Sequence, residues 1–220
     1  PSLCGICCDD EWLAQVQGLA LKNVRLTARQ HGSSPVSFFG EMLFTHFGIS
    51  GPIVLSLSAL LNRRDLSKIS LSVDLKPALD EQTLDRRLLR DFDEAKNKQM
   101  RNALDALLPK SLILPVLQCA EIREELPVHA LTRVQRERLL HVLKGLPLHC
   151  VSLRPIEEGI VTSGGVDVKQ IDPKTMQCRE LPGLYFCGET LDIDALTGGF
   201  NLQIAFTTGY LAGISAVKRV

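Results

Sequence analysis

Residues 190–213 read TLDIDALTGGFNLQIAFTTGYLAG, and the pair Gly198-Gly199 leads directly into an apolar stretch with helical character. Glycines at a helix start let the backbone approach a ligand closely or adopt positive φ. Asn201 can cap that helix or stand just inside it, and the first N–H groups with the helix dipole present partial positive charge to whatever lies beyond. A reduced flavin carries negative charge near N1 and the C2 carbonyl, so such a helix end would stabilise it. Upstream, PGLYFCGE (182–189) reads as a short, fully apolar strand ending in Gly188 and Glu189. Ligands of open α/β sheets bind where strands end, and a carboxylate there can accept hydrogen bonds from sugar hydroxyls. Singly, the first element is equally a helix cap that binds nothing and the second an ordinary strand end; their combination favours a ligand site.

A second loop, THFGISGP (45–52), gathers Thr45, His46 and Ser50 as donors and acceptors, with Gly48 and Gly51 for flexibility and Pro52 at a first helical turn. His46 could bind substrate or shuttle a proton, or simply fasten the loop; Ser50 suits an N-cap. CGICC (4–8) has C-x-x-C spacing, so a dithiol oxidoreductase using Cys4 and Cys7 is one reading. A zinc site needs four ligands, and no second Cys/His cluster stands at suitable spacing, so reduced thiols are the favoured reading. Arg86, Arg87 and Arg90 belong to a charged helix whose face is best read as solvated. No nucleophile, triad or metal centre is recognisable.

The chain of 220 residues is long enough for one large domain or two small ones, and its 45% hydrophobic content can fill a core. Lys+Arg and Asp+Glu balance at 25 each, which gives no general pull toward nucleic acid or an anionic membrane. Aromatic residues are only 5%, few for a base-stacking surface. No apolar run is long enough to span a bilayer, and the N-terminus has no signal-peptide pattern. Seven irregularly spaced cysteines point to a reducing, cytoplasmic compartment. The first residue is not methionine, which reads as a chain processed or cut from a longer one.

Residues 19–29 alternate apolar and polar, residues 41–45 read as a short strand, and Ile69, Leu71, Val73 and Leu75 keep a period of two: a small sheet or barrel. IVLSLSALLNRR reads as a short helix. From Pro77 the composition changes to a helical block that Gly145 closes. After Pro147 come LHCVSLRPI and GIVTSG as strands, a hairpin around Asp172-Pro173, PGLYFCGE, and a last helix from about Leu202. The fold class is thus mixed α+β and α/β. Residues 1–147 form one domain, β-rich over 1–76 and helical over 77–147, and 148–220 form another.

The run from Val161 to Gly213, with RPIEEGIVTSGGV and FTHFGISGP, closely resembles the aminoacetone-oxidase-like family of FAD-dependent oxidoreductases, a bacterial group of two-dinucleotide-binding flavoproteins. The resemblance covers nearly the whole chain. It implies that an N-terminal Rossmann segment, absent from this sequence, carries the pyrophosphate turn. Residues 1–147 would then be an inserted substrate-side domain, and 148–220 the C-terminal part of a Rossmann-like FAD-binding domain. It assigns Gly188 and Glu189 to the ribityl and pyrophosphate region. Gly198, Gly199, Phe200, Asn201, Leu202 and Gln203 fall beside the flavin, and Gly164 and Gly165 near its ring. Thr45, His46, Gly48, Ser50 and Gly51 become the substrate-side loop, with His46 the candidate catalytic residue. Implied partners are a small-molecule substrate, the missing Rossmann segment, and either oxygen or NAD(P)H as the redox partner; the balanced charge and the lack of a spanning apolar run point to no nucleic acid and no membrane as partners. The rival reading is a non-catalytic module that binds a ligand or protein.

Overall fold

The computed structural model describes residues 1–217, so the last three positions of the expected 148–220 domain lie outside the described residues. The elements are β1 (Ile6–Cys8), α1 (Leu13–Val16), β2 (Ala20–Gln30), β3 (Val36–Thr45), β4 (Gly48–Ser50), α2 (Pro52–Leu61), β5 (Ile69–Asp74), α3 (Glu81–Glu94), α4 (Met100–Ala103), α5 (Lys110–Cys119), α6 (Arg133–Lys144), β6 (Leu146–Leu148), β7 (Cys150–Leu153) and α7 (Phe200–Val217). They fall into two compact units. One comprises Ile6–Val54 and Asp65–Ser152; the other comprises Pro1–Gly5, Leu55–Arg64 and the residues from Leu153 onward.

The first unit is built on a seven-stranded sheet in the order β6-β5-β2-β3-β4-β1-β7, with β1–β4, β2–β3, β2–β5, β3–β4 and β5–β6 antiparallel. The two edge strands are separated in the chain only by His149, so the sheet has to curl until its edges stand one residue apart. That is the geometry of a small barrel. Alternation along β2 sends Leu21, Val24, Leu26 and Ala28 inward. Leu21 and Val24 are an odd number of positions apart, and a bulge between them, with Asn23 at φ 55°, restores both to the inner face. Leu26, Phe44, Ile49 and Val73 are completely buried.

β3 runs from Val36, five residues earlier than alternation alone indicates, and it carries Gly40 in its middle. The expected flexible loop at 48–51 is instead strand β4, joined to β3 by the two-residue turn His46-Phe47. Gly48 is needed for close approach rather than mobility. A Cβ on it would lie 2.4 Å from the Ile6 carbonyl oxygen and 2.5 Å from the Cys8 nitrogen.

The helices of this unit start and stop where their caps dictate. The Asp80 side chain accepts from the Thr83 N–H at 2.7 Å, and Thr132 with Gln135 forms a capping box at the start of α6. α3 buries Leu84, Leu88 and Phe92 at four-residue spacing, and Arg136 of α6 reaches Asp85 at 2.8 Å. The Lys144 ammonium pairs with Asp74 at 2.6 Å and donates to the carbonyls of Lys76 and Leu79, closing the helical block onto β5.

His149 clasps the seam between β6 and β7. Its backbone N–H donates to Asp10 at 2.8 Å, and its ring pairs with Asp9. The hydrogen bond that the His149 ring donates to the Asp9 carboxylate, then the charge of Asp9, raises the His149 pKa above the ordinary histidine value. A raised folded-state pKa gives stabilisation that is fully present below the unfolded histidine pKa and is lost as pH rises through the folded one. The His149 ring should therefore titrate, by NMR, above a histidine in an unstructured peptide, and Asp9→Asn should return it to the ordinary range.

The second unit has a small core of Ile171, Met176, Cys178, Leu191 and Ala212, with Val166, Tyr185, Phe186 and Leu211 packed against it. Two expected strands are absent. GIVTSG forms a single bridge, Ser2 to Val161. PGLYFCGE makes only the bridge Gln177 to Tyr185 and then a short 3-10 turn from Gly188 to Thr190. It is not buried either: Leu184 is 40% exposed, because the core beneath it is too small to cover both its faces. The turn at Asp172-Pro173 is present, with Ile171 bridged antiparallel to Cys178.

Candidate functional site

Both Gly-Gly bends belong to the second unit. In the first, Gly164 has φ 107° and Gly165 has φ 142°, a conformation that L side chains rarely adopt. A Cβ on Gly165 would lie 2.6 Å from the Thr190 carbonyl oxygen, whereas one on Gly164 would meet nothing within 4 Å. Gly165 thus lets this segment lie against residues 190–192, where the Val166 N–H donates to the Thr190 carbonyl and the Asp192 N–H to the Val166 carbonyl, both at 2.9 Å. Gly164 faces open space.

The second bend repeats the division. Gly198 (φ 116°) sits against the Phe200 ring, and Gly199 (φ 86°) has nothing within 4 Å of where a Cβ would be. α7 begins at Phe200, and Asn201 is a brace rather than a cap: its Oδ1 accepts from the Ala195 N–H at 2.9 Å and its Nδ2 donates to the Ala195 carbonyl at 2.8 Å. This ring of two bonds folds the preceding loop back on the helix start. The Gln203 N–H is the first of the helix to bond inward, to the Gly199 carbonyl at 3.1 Å, and the Gln203 side chain reaches Thr207.

Gly188 is fixed to α7 by its N–H, which donates to Thr208 Oγ1 at 2.9 Å. Glu189 is exposed, and its Oε2 accepts from both the N–H and the hydroxyl of Thr162, at 2.9 and 3.0 Å. The structure therefore brings Gly164, Gly165, Gly188 and Glu189 together through Thr162 and the 188–192 turn. Gly198 through Gln203 stand at the other end of the same short loop.

α7 is the least covered element. Ala212 is its one buried residue among those described, and Leu202, Phe206 and Tyr210 are 64%, 70% and 69% exposed at four-residue spacing. Gly209 and Gly213, four residues apart, add a smooth strip where a Cβ would meet nothing. An apolar helix face of this length marks a surface made to be covered.

The loop at 45–51 belongs to the barrel unit. His46 is exposed at the tip of the β3–β4 turn, with its ring edge-on to Phe47 at 5.1 Å between centroids. Thr45 Oγ1 is buried with no hydrogen-bond partner among the described residues. Ser50 ends β4, and a Cβ on Gly51 (φ 99°) would stand 3.0 Å from the Met42 Cα.

Burial disfavours the thiolate at Cys8, Cys119 and Cys150. Burial, then the neighbouring Cys150, pushes the Cys8 thiol far up, and burial pushes Cys150 up to about 11. Cys4 is buried, and its backbone N–H donates to Ser58 Oγ at 3.0 Å. Among the described residues no group of three His, Cys, Asp or Glu side chains could hold a metal ion, and no helix is long and apolar enough to cross a membrane.

A curled antiparallel sheet carrying a helical block defines a barrel-and-helix protein. Within that class the chain belongs to the HI0933-like family: residues 1–161 match the model described as HI0933-like protein barrel and H2TH domain. It is 31% identical over 182 residues to a 3-dehydro-bile acid delta(4,6)-reductase of Clostridium scindens, covering 82% of this chain and 44% of that protein. It is also 31% identical over 213 residues to a ribosomal RNA dihydrouridine synthase of Haemophilus influenzae, covering 96% of this chain and 49% of that protein. A ribosomal RNA dihydrouridine synthase of Escherichia coli is 31% identical over 175 residues, 79% of this chain and 41% of that one. The chain spans less than half the length of the curated relatives it matches.

Ser56, Arg63, Ser163 and Thr197, which tie the bends to α2, were not singled out for this role by sequence reasoning. Their separations of 141 and 100 positions leave no local signal to find.

Proposed function

We propose that this chain is the substrate-side and flavin-edge half of an FAD-dependent reductase. A Rossmann segment elsewhere in the full-length protein would hold the AMP and pyrophosphate and cover α7. The observation that carries this reading is the pair of Gly-Gly bends, each with one glycine packed and one facing open space, the second leading into a helix whose apolar face is bare. The residues present fit the cofactor. Gly164 and Gly199 leave room for a flat ring, and the amides of Phe200, Asn201 and Leu202 carry the partial positive charge of a helix start. FAD, when bound, supplies two-electron chemistry. The chain's own residues would orient the ring and hold positive potential at the α7 start. Residues from Leu153 onward, with Pro1–Gly5 and Leu55–Arg64, would form the C-terminal part of the Rossmann-like domain, and the unit of Ile6–Val54 and Asp65–Ser152 the inserted domain, in place of the division at 147/148 expected from sequence.

The exposed His46 at the tip of the β3–β4 turn supports a substrate-side role for that turn. His46 is the candidate proton carrier there. The names of the matched relatives describe reductions, one of an unsaturated bile acid and one giving dihydrouridine in RNA. We infer reduction of a carbon–carbon double bond in a small molecule, with NAD(P)H supplying the electron pair and a proton completing the addition. A second reading takes RNA as substrate, favoured by the two ribosomal RNA dihydrouridine synthases among the relatives. The test is release and quantification of flavin from the purified full-length gene product, then anaerobic titration with NADPH. Close to one FAD per chain, bleached by NADPH, is expected; a flavin-free product would overturn the reading.

A further inference from the structure

We propose that α2 and the turn after it form a bracket fixing both Gly-Gly bends, with Ser56 and Arg63 as positioning residues. This rests on the flavin reading above for its functional consequence, though not for its geometry. Ser56 is 6% exposed, and its hydroxyl shares a 2.8 Å hydrogen bond with Thr197 Oγ1, the residue immediately before Gly198. Arg63, two residues past the helical end, donates from Nη2 and Nε to Ser163 Oγ at 3.2 and 3.3 Å; Ser163 immediately precedes Gly164. The same guanidinium pairs with Asp192. Each bend is thus held at the residue before its first glycine, by side chains from one short segment.

The Arg63 arm continues into a frame. Ser163 accepts from Arg63 and donates its own proton to Asp194 Oδ1 at 3.1 Å, while the buried Ser2 donates to Asp194 Oδ2 at 2.6 Å. Ser58 accepts the Cys4 N–H at 3.0 Å and donates to the Leu55 carbonyl at 2.8 Å, so the N-terminal residues that carry Ser2 are fastened to α2 as well. All these groups lie within one compact unit.

A paired glycine has more conformational freedom to lose than any other dipeptide, and an unrestrained one would charge that loss to ligand binding. Bracketing the residue before each pair removes the loss beforehand, the usual gain from preorganisation. The role predicted for Ser56 and Arg63 is therefore to hold open a space of fixed width without touching the flavin.

The experiment uses the full-length gene product with Ser56→Ala, Arg63→Met and Arg63→Lys. Hydrogen exchange reads the peptides over 161–167 and 195–201, and flavin fluorescence reads the FAD dissociation constant. Arg63 is largely exposed and Ser56→Ala removes one oxygen, so the melting temperature should change little. Expected are faster exchange over 161–167 in Arg63→Met and over 195–201 in Ser56→Ala. Each should weaken FAD binding about tenfold, the worth of one charged or buried hydrogen bond. Arg63→Lys, which keeps the pairing with Asp192, should recover part of the loss. Unchanged exchange in both segments would overturn the bracket. Faster exchange with wild-type FAD affinity would overturn its role in binding. A wild-type protein without flavin would remove the flavin reading while leaving the exchange result to decide the bracket.

Discussion

Gly48→Ala should leave the barrel unit unfolded under conditions where the parent is fully native. Gly48 has φ 141° and lies in β4, paired with Cys7 on one side and Thr45 on the other. The added methyl carbon would meet backbone on the β1 side: the Ile6 oxygen at 2.4 Å, the Cys8 nitrogen at 2.5 Å and the Cys7 carbonyl carbon at 3.1 Å. No side chain can swing away to relieve this, so β1 must separate from β4. That separation detaches Ile6 and opens the core around Ile49 and Phe44, all completely buried. Backbone strain of about 1–3 kcal/mol, lost ladder hydrogen bonds of about 1 kcal/mol each and a partly opened core add to roughly 4–6 kcal/mol. That is comparable to the whole stability of an ordinary domain. Gly32→Ala is the matched control: φ is 77°, nothing lies within 4 Å, and the cost should be about 1 kcal/mol. Urea unfolding followed by circular dichroism distinguishes the two, and similar midpoints would contradict the packing described.

Gly199→Val should have the opposite profile, with the fold kept and the flavin lost. A Cβ at Gly199 meets nothing within 4 Å, so the variant bears only the strain of φ 86°, about 1–2 kcal/mol. The branched side chain would occupy the open space in front of the α7 start. In the full-length gene product, absorption near about 450 nm should fall at least tenfold while far-ultraviolet circular dichroism is retained. Wild-type flavin content in this variant would move the ring away from this bend.

Much of the barrel was legible because alternation survives in β2 and β5, where one face is buried and the other wet. The helical block and the last helix were legible from the composition change at Pro77, from Gly145 and from the apolar run after Gly199. β4 was not, because glycine signals both a mobile loop and a backbone contact too close for any Cβ. Gly48 is the second kind, and only the neighbouring strand reveals it. Gly40 likewise hid the first half of β3, and CGICC drew attention to sulfur when its last three residues form β1. PGLYFCGE failed for another reason: an apolar run reads as buried, yet the small core leaves Leu184 and Cys187 exposed. The bends themselves stood out in the sequence, whereas the hydroxyls and guanidinium that hold them are brought together by the fold.

Hydrogen exchange of the full-length gene product with and without FAD tests the central claim most directly. FAD should protect the amides of 162–166 and 198–203, which bear the two bends and the start of α7. Tight binding of FAD with both segments exchanging as fast as in the flavin-free protein would contradict it.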